Sequence, residues 1–332
     1  MQKDFHFNCI AVLARAAGFK VEQALTLAYA SQYVDDSVES ERIKVGGMYF
    51  DPVRTAHYGL RAFDWSVQKN IYISFHFIPP HPLKTPQDPL RSEPNSEFAQ
   101  MIWKEALKEK EGTQRLCRLG IALHTIADSW AHSRFSGRED DENKVANIRV
   151  SENGGWIHPK LPNFYLDFLP KIGHAKAGHY PDQPWQKWMY LGYRPRRKIH
   201  RNNTDEFMHA AEHIHGLLKR VRKTKPDPVK RWSSISDKIH DLFTIVDEKV
   251  DRRCHWWREE FRDFIPKKRF VYDRLQWRRE ALGNRNIQFE DMSRRQMARL
   301  SFGMTRGFWD SNWVCFHRAA LRQRHFVLEN FL

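Results

Sequence analysis

The segment LHTIADSWAHSRFSG carries His124, Asp128 and His132 at steps of four residues. In a helix a step of four turns each side chain only ~40° from the one before, so all three share a face. Imidazole nitrogen and carboxylate oxygen are ligands for zinc and similar divalent ions. At ~1.5 Å of rise per residue, His124 and His132 stand roughly 12 Å apart at Cα, too far to serve one ion comfortably. Two ions fit the spacing: His124 with Asp128, and Asp128 with His132, the two carboxylate oxygens bridging them. A multinuclear centre is the expectation. Without metal the same residues would form a hydrogen-bonded ladder along a buried helix.

Four other segments hold residues of the same chemistry in apolar or aromatic company. DFHFNC carries Asp4 and His6; YASQYVDDS carries Asp35 and Asp36; TAHYGLRAFD carries His57; GHAKAGHYPDQPW carries His174, His179 and Asp182. In FHFIPPH, His76 stands between Phe75 and Phe77 and is expected to hydrogen-bond a ligand rather than to bind metal. RPRRK offers Arg194, Arg196 and Arg197 to substrate phosphates, with an ordinary exposed basic loop as the alternative. His209 and His213 sit at helical spacing and read as core or surface residues. There is no GxSxG elbow, Walker-type phosphate loop or HExxH motif. The four cysteines are widely spread and form no CxxC pair, so neither a thiolate zinc site nor a disulfide framework is indicated.

The elements that must position these groups read as helices. Apolar residues recur at helical spacing through 21–36, and 97–133 reads as one or two helices broken near Gly112. Leu116, Leu119 and Leu123 line the chemistry-bearing helix, and Gly120 and Ala122 are small enough for close helix packing. Strand signals are poor: only NIYISFHF, 70–77, alternates like a strand. The expected fold is all-α, with long functional loops at 78–95 and 150–185.

Charge divides the chain. It has 332 residues with 55 Lys and Arg against 40 Asp and Glu, a net +15. Residues 219–332 alone hold 27 basic and 15 acidic side chains. We therefore expect a metal-binding helical region over 1–218 and a basic, aromatic-rich helical region over 219–332 packed on it. Such a region suits phosphate-rich partners, nucleic acid or an anionic membrane surface. Interleaved acidic residues equally suit an ordinary solvated helix surface. No apolar run approaches the ~20 residues of a transmembrane helix, and MQKDFHFNCI lacks a secretory apolar core. A cytoplasmic location is the expectation; oligomeric state is not legible.

The order of an N-terminal His, SQYVDD, AHYG, the LHxxxD helix and a later His/Asp loop resembles the zinc-dependent phospholipase C and fungal single-strand nuclease superfamily. DFHF, QYVDD, TAHY, FHFIP and GHYPD more closely resemble a bacterial family of unknown function, over roughly 1–215. The superfamily resemblance implies an all-α bundle around two or three zinc ions. It would give one ion to Asp35, His57, His124 and Asp128, a second to His6 with Asp128, and a third to His132 with His174 or His179 and Asp182. Manganese or iron would suit the same ligands. Superfamily members use a processed N-terminal tryptophan as a ligand; this chain begins MQKD, so Asp4 or water would substitute. The Asp-to-His spacing in the central helix is also shorter here. Asp36 or Asp4 would orient the attacking water, which implies phosphodiester hydrolysis, of phospholipid or of nucleic acid. A non-catalytic binding module with a structural metal is the reading from another class.

Overall fold

A computed structural model describes the chain apart from residues 40, 57–59, 84, 86–87, 89, 159–169, 194–195, 222–231, 284–295, 297–299 and 332. A π-helical segment, Asp4–Cys9, runs into α1 (Ile10–Ala16), and α2 spans Val21–Asp36. A hairpin of β1 (Ile43–Val45) and β2 (Met48–Phe50) follows, then a second π-helical segment, Gln68–His76. Helices α3 (Glu97–Leu107) and α4 (Thr113–Ala131) lead to β3 (Val145–Glu152), β4 (Gly155–Ile157), β5 (Lys187–Gly192) and β6 (Lys198–Asn202). After α5 (Asn203–Val221) come α6 (Ser236–Thr244), α7 (Val250–Glu260), α8 (Gln276–Ala281), β7 (Ser301–Phe302) and α9 (Asn312–Glu329).

The chain is therefore mixed α/β, which corrects the all-α expectation. One sheet has the order β2-β1-β7 and the other β4-β3-β5-β6. The strands are short, and the longest, VANIRVSE, buries fully only Ile148 while exposing charged and polar residues, so its apolar signal is weak. Their pairings are non-local as well: β1 pairs in parallel with β7, more than 250 residues away. Gly46 and Gly47 both take positive φ, 56° and 84°, as the tight two-residue turn between β1 and β2 requires. The one strand that was expected, at 70–77, is instead mostly π-helix. Burial of Ile71, Ile73, Ser74 and Phe75 decides its form over local alternation.

Helix α4 is buried from Cys117 to Ala131 and is packed by α2, α3, α5 and α9. Gly120 is the reason α2 can lie so close: a Cβ there would stand 2.4 Å from the Leu27 carbonyl oxygen. Gly112, with φ 134°, separates α3 from α4 where the sequence predicts a break. The main core draws on the whole chain, joining Phe5, Leu27 and Leu123 to Trp257, Trp313 and Phe316. A smaller core under the four-stranded sheet holds Phe77, Phe135, Trp188 and Tyr190. No helix among the described residues is long and apolar enough to cross a membrane.

Candidate metal centre

Helix α4 presents His124 and Asp128 inward, and His132 follows at its C-cap. All three are nearly or fully buried. Arg201, on β6, fixes this end of the helix: its Nη2 donates to the carbonyls of Trp130 and Ala131 at 3.0 Å each, while its guanidinium pairs with Glu206. A cation on the last carbonyls also complements the helix dipole. On the other side, Gln323 of α9 donates to Thr125 Oγ1 at 2.8 Å and to the Ser74 carbonyl at 3.2 Å. These bonds tie the end of the second π-helical segment, which carries His76, to the helix that carries His124 and Asp128.

Asp128 is the hub. Its Oδ1 lies 2.8 Å from the Met1 α-amino nitrogen and 3.1 Å from His6 Nε2. Its Oδ2 lies 3.1 Å from His124 Nε2, 3.3 Å from His76 Nδ1 and 3.6 Å from His132 Nδ1. Asp35, from the end of α2, approaches His124 at 3.7 Å and His76 at 3.8 Å. Asp182 approaches His132 at 3.3 Å and His174 at 3.4 Å. Three groups result, each with ligand atoms within 4.8 Å of one another: His6, His124 and Asp128; Asp35, His76 and His124; His132, His174 and Asp182.

Three of the imidazoles are oriented from behind. His76 Nε2 faces the Thr55 carbonyl at 2.9 Å, His132 Nδ1 the His76 carbonyl at 3.0 Å, and His174 Nδ1 the Gly178 carbonyl at 2.9 Å. A nitrogen facing a carbonyl must carry the proton, so when the ring is neutral it is the other nitrogen, aimed into the centre, that is available to ligate an ion. The Nδ1 atoms of His6 and His124 are buried without a partner among the described residues. Both rings direct Nε2 at Asp128 and stack on one another at 4.0 Å.

Burial and charge also set the protonation states. Desolvation lowers His6 and His174 to about 4 despite neighbouring carboxylates, and pushes His124 well below its ordinary value, helped by His6. His76 is raised, because its bond to Asp128 and the Asp35 charge outweigh desolvation. Asp128 is held well below the carboxylate range: burial acts the other way but is outweighed by His132, the Met1 amine and His124. Asp182 is depressed likewise, the Met1 amine and His174 overcoming burial. Burial pushes Asp35 well up. The Met1 amine, which burial alone would depress, is raised to about 11 by Asp128, Asp182 and Asp35. Most of these groups already have the neutral imidazole and anionic carboxylate forms that metal binding requires. The donor set fits divalent transition ions.

Of the residues singled out from sequence, His6, Asp35, His124, Asp128, His132, His174 and Asp182 come together. His57 and Arg194 lie outside the described residues. His179 is exposed and belongs to none of the three groups. Asp4 faces elsewhere: it is buried and pairs with Arg253 at 2.6 Å. The Met1 amine, rather than Asp4, meets the carboxylates. Arg196 and Arg197 are exposed on the β5–β6 connection and do not line the pocket above the centre. His76, expected to hydrogen-bond a ligand, does contact Asp128 and also falls in one of the three groups. Asp36 lines that pocket, its Oδ2 held by Tyr272 Oη at 2.7 Å and Gln32 Nε2 at 3.0 Å. The pocket is about 480 Å³ and open to solvent, with Lys3, Tyr72 and Phe77 among its walls.

Fold and site together define a helix-rich α/β protein built around a buried, solvent-reached His/carboxylate centre. The chain belongs to a family of unknown function, DUF6765, whose family model matches residues 1–331. That match takes in the basic C-terminal third, beyond the 1–215 span of the resemblance read from motifs. None of the curated proteins and none of the solved structures compared with the chain matches it.

Proposed function

We propose that this protein is a metal-dependent phosphodiester hydrolase. One observation carries the reading: three His/carboxylate groups, two of them sharing His124 and all three with a histidine near Asp128, lie at the floor of an open pocket. A structural site is closed by its protein ligands, whereas a catalytic one keeps a position that solvent and substrate can reach. The order of the ligand segments, which resembles the zinc-dependent phospholipase C and single-strand nuclease superfamily, supports the choice of reaction. Zinc is the proposed metal on the same ground. A cytoplasmic location belongs to the same reading.

Bound divalent ions would clamp phosphoryl oxygens and bring the pKa of water toward neutrality. The chain's own residues do the rest. His6, His124 and Asp128, Asp35 and His76, and His132, His174 and Asp182 hold the ions. Asp36 accepts two protein hydrogen bonds on Oδ2, which fixes the carboxylate and leaves Oδ1 to orient an attacking water and take its proton. Lys3, now paired with the exposed Asp251 at 2.5 Å, stands at the pocket wall where a phosphate would enter.

The test is hydrolysis of bis(p-nitrophenyl) phosphate by metal-loaded protein. Turnover that disappears with chelation, returns with zinc or manganese and is absent in Asp128→Ala is the expected result. Metal-loaded protein that turns over neither this ester nor phospholipid or oligonucleotide would refute the assignment.

A further inference from the structure

The outer face of the four-stranded sheet is the strongest feature that the metal centre does not use. Strand alternation sends Ile148, Trp188, Tyr190 and Arg201 inward, as their burial shows. It sends Arg149, Lys187, Met189, Lys198 and His200 outward. The register places them side by side: Arg149 opposite Met189, Met189 opposite His200, and Leu191 opposite Lys198. At ~4.8 Å between strands and ~3.3 Å per residue, the three cations are spread over roughly 8–15 Å. Trp156, opposite Ser151 on the edge strand β4, is 41% exposed and meets the His200 ring edge-on at 5.5 Å. Those two residues belong to opposite edge strands, so the rings meet across the two central ones.

Charge on this face is of one sign. Among the described residues, no carboxylate pairs with Arg149, Lys187 or Lys198, nor with Arg196 and Arg197 on the adjoining β5–β6 connection. Glu152 on β3 points to the other side by alternation, and Asp205 touches only the corner, through Asn202. Elsewhere the chain pairs exposed cations freely, as in Lys238–Glu260 and Arg42–Asp51. Unpaired cations around an exposed indole and a half-buried thioether match a partner that offers phosphates and flat π-faces together. Duplex DNA hides its bases and would leave Trp156 and Met189 unmatched.

The geometry points to single-stranded nucleic acid as the occupant of this face: phosphates on Arg149, Lys187 and Lys198, and bases stacked on Trp156 beside His200. The inner face of the same sheet covers the small core that reaches Phe77 and His132, so the outer face is a docking surface separate from the metal centre. It needs no metal, and the phosphodiesterase reading can fail without affecting it.

Fluorescence anisotropy of a labelled oligo(dT) of about 12 nucleotides, with metal-free full-length protein, tests the assignment. R149E/K187E/K198E should weaken binding about tenfold or more and reduce the slope of log K against log salt by roughly 2. W156A should weaken it about fivefold or more. The matched reversal K44E/K110E/K268E, at exposed positions off this face, should stay within about twofold, all variants keeping wild-type circular dichroism. Equal loss in both triple variants would mean attraction to net charge alone and overturn the site. So would unchanged binding in W156A with equal affinity for duplex, or binding to phosphatidylglycerol vesicles with none to the oligonucleotide.

Discussion

Two sets of buried carboxylates in this molecule are neutralised in opposite ways. Asp4 pairs with Arg253, and Glu39 with Arg278, all four side chains within a few per cent of complete burial. Asp128, equally buried, meets no guanidinium among the described residues; imidazoles and the Met1 amine surround it. A guanidinium is a permanent cation that satisfies a carboxylate and closes the matter. His6 and His124, which burial keeps neutral, are not permanent cations and can exchange their bonds to Asp128 for a bound ion. The same fold thus contains buried ion pairs between permanent charges and a donor set of the kind that could take up a cation. The first kind serves the second: Arg253 also bonds Gln2 and the Asp247 carbonyl, so α7 holds the segment that carries Met1 and His6.

Breaking a finished pair should unfold, whereas breaking the donor set should demetallate. Arg253→Met leaves Asp4 buried and alone, and should cost about 3–5 kcal/mol in urea denaturation. Asp4→Leu with Arg253→Met should recover most of that loss. A double variant no more stable than the single one would contradict the pair's purely structural role. Next in size, Gly120→Ala forces α2 and α4 apart at the Leu27 carbonyl and should cost about 1–3 kcal/mol. It should also lower metal retention, since Asp35 and His124 sit on those two helices.

Within the donor set, His76→Gln should lower metal affinity about 10–100-fold with little change in melting temperature, while His179→Gln changes neither. Equal retention in the two variants would move His76 back to a supporting role. Asp36→Asn should keep full metal content yet lower kcat for the phosphodiester about 10–100-fold, measured beside KM.

The smallest effect concerns a buried histidine that is neither paired nor metal-facing. His317 accepts the Val53 amide through Nδ1 at 3.0 Å, and desolvation lowers it to about 3 from 6.5. The unfolded chain takes up this proton below about 6.5 and the native state only near 3, so His317 contributes its stability above that window and loses it as pH falls through it. His317→Gln should therefore flatten the decline of the urea midpoint between pH 6.5 and about 4. An unaltered slope would assign the acid limb to other groups.

How far the centre was legible from sequence depended on whether its residues were local. His124, Asp128 and His132 announce themselves by spacing alone, because a helix converts steps of four into one face. Asp35 stands at a helix end that periodicity locates correctly, and His174 with Asp182 lie in one short loop. How near His76 stands to the centre is not legible in FHF, which alternates like a strand; the packing of the π-helical segment against α4 and α9 turns its Nδ1 to Asp128. The sheets were missed for a related reason. Their outer faces are charged and their partners distant, so neither apolar alternation nor a nearby turn marks most of the strands. The pairing of Asp4 with Arg253 is not legible because the two lie 249 residues apart.

Metal content tests the central claim most directly. Untagged protein and Asp128→Ala, purified in parallel and reconstituted with zinc, would be measured by inductively coupled plasma mass spectrometry. About two or three equivalents in the wild type, and a large loss in a variant that still melts cooperatively, is the predicted result. No metal above background in the reconstituted wild type would contradict the account, leaving His124, Asp128 and His132 as a hydrogen-bonded ladder in the core.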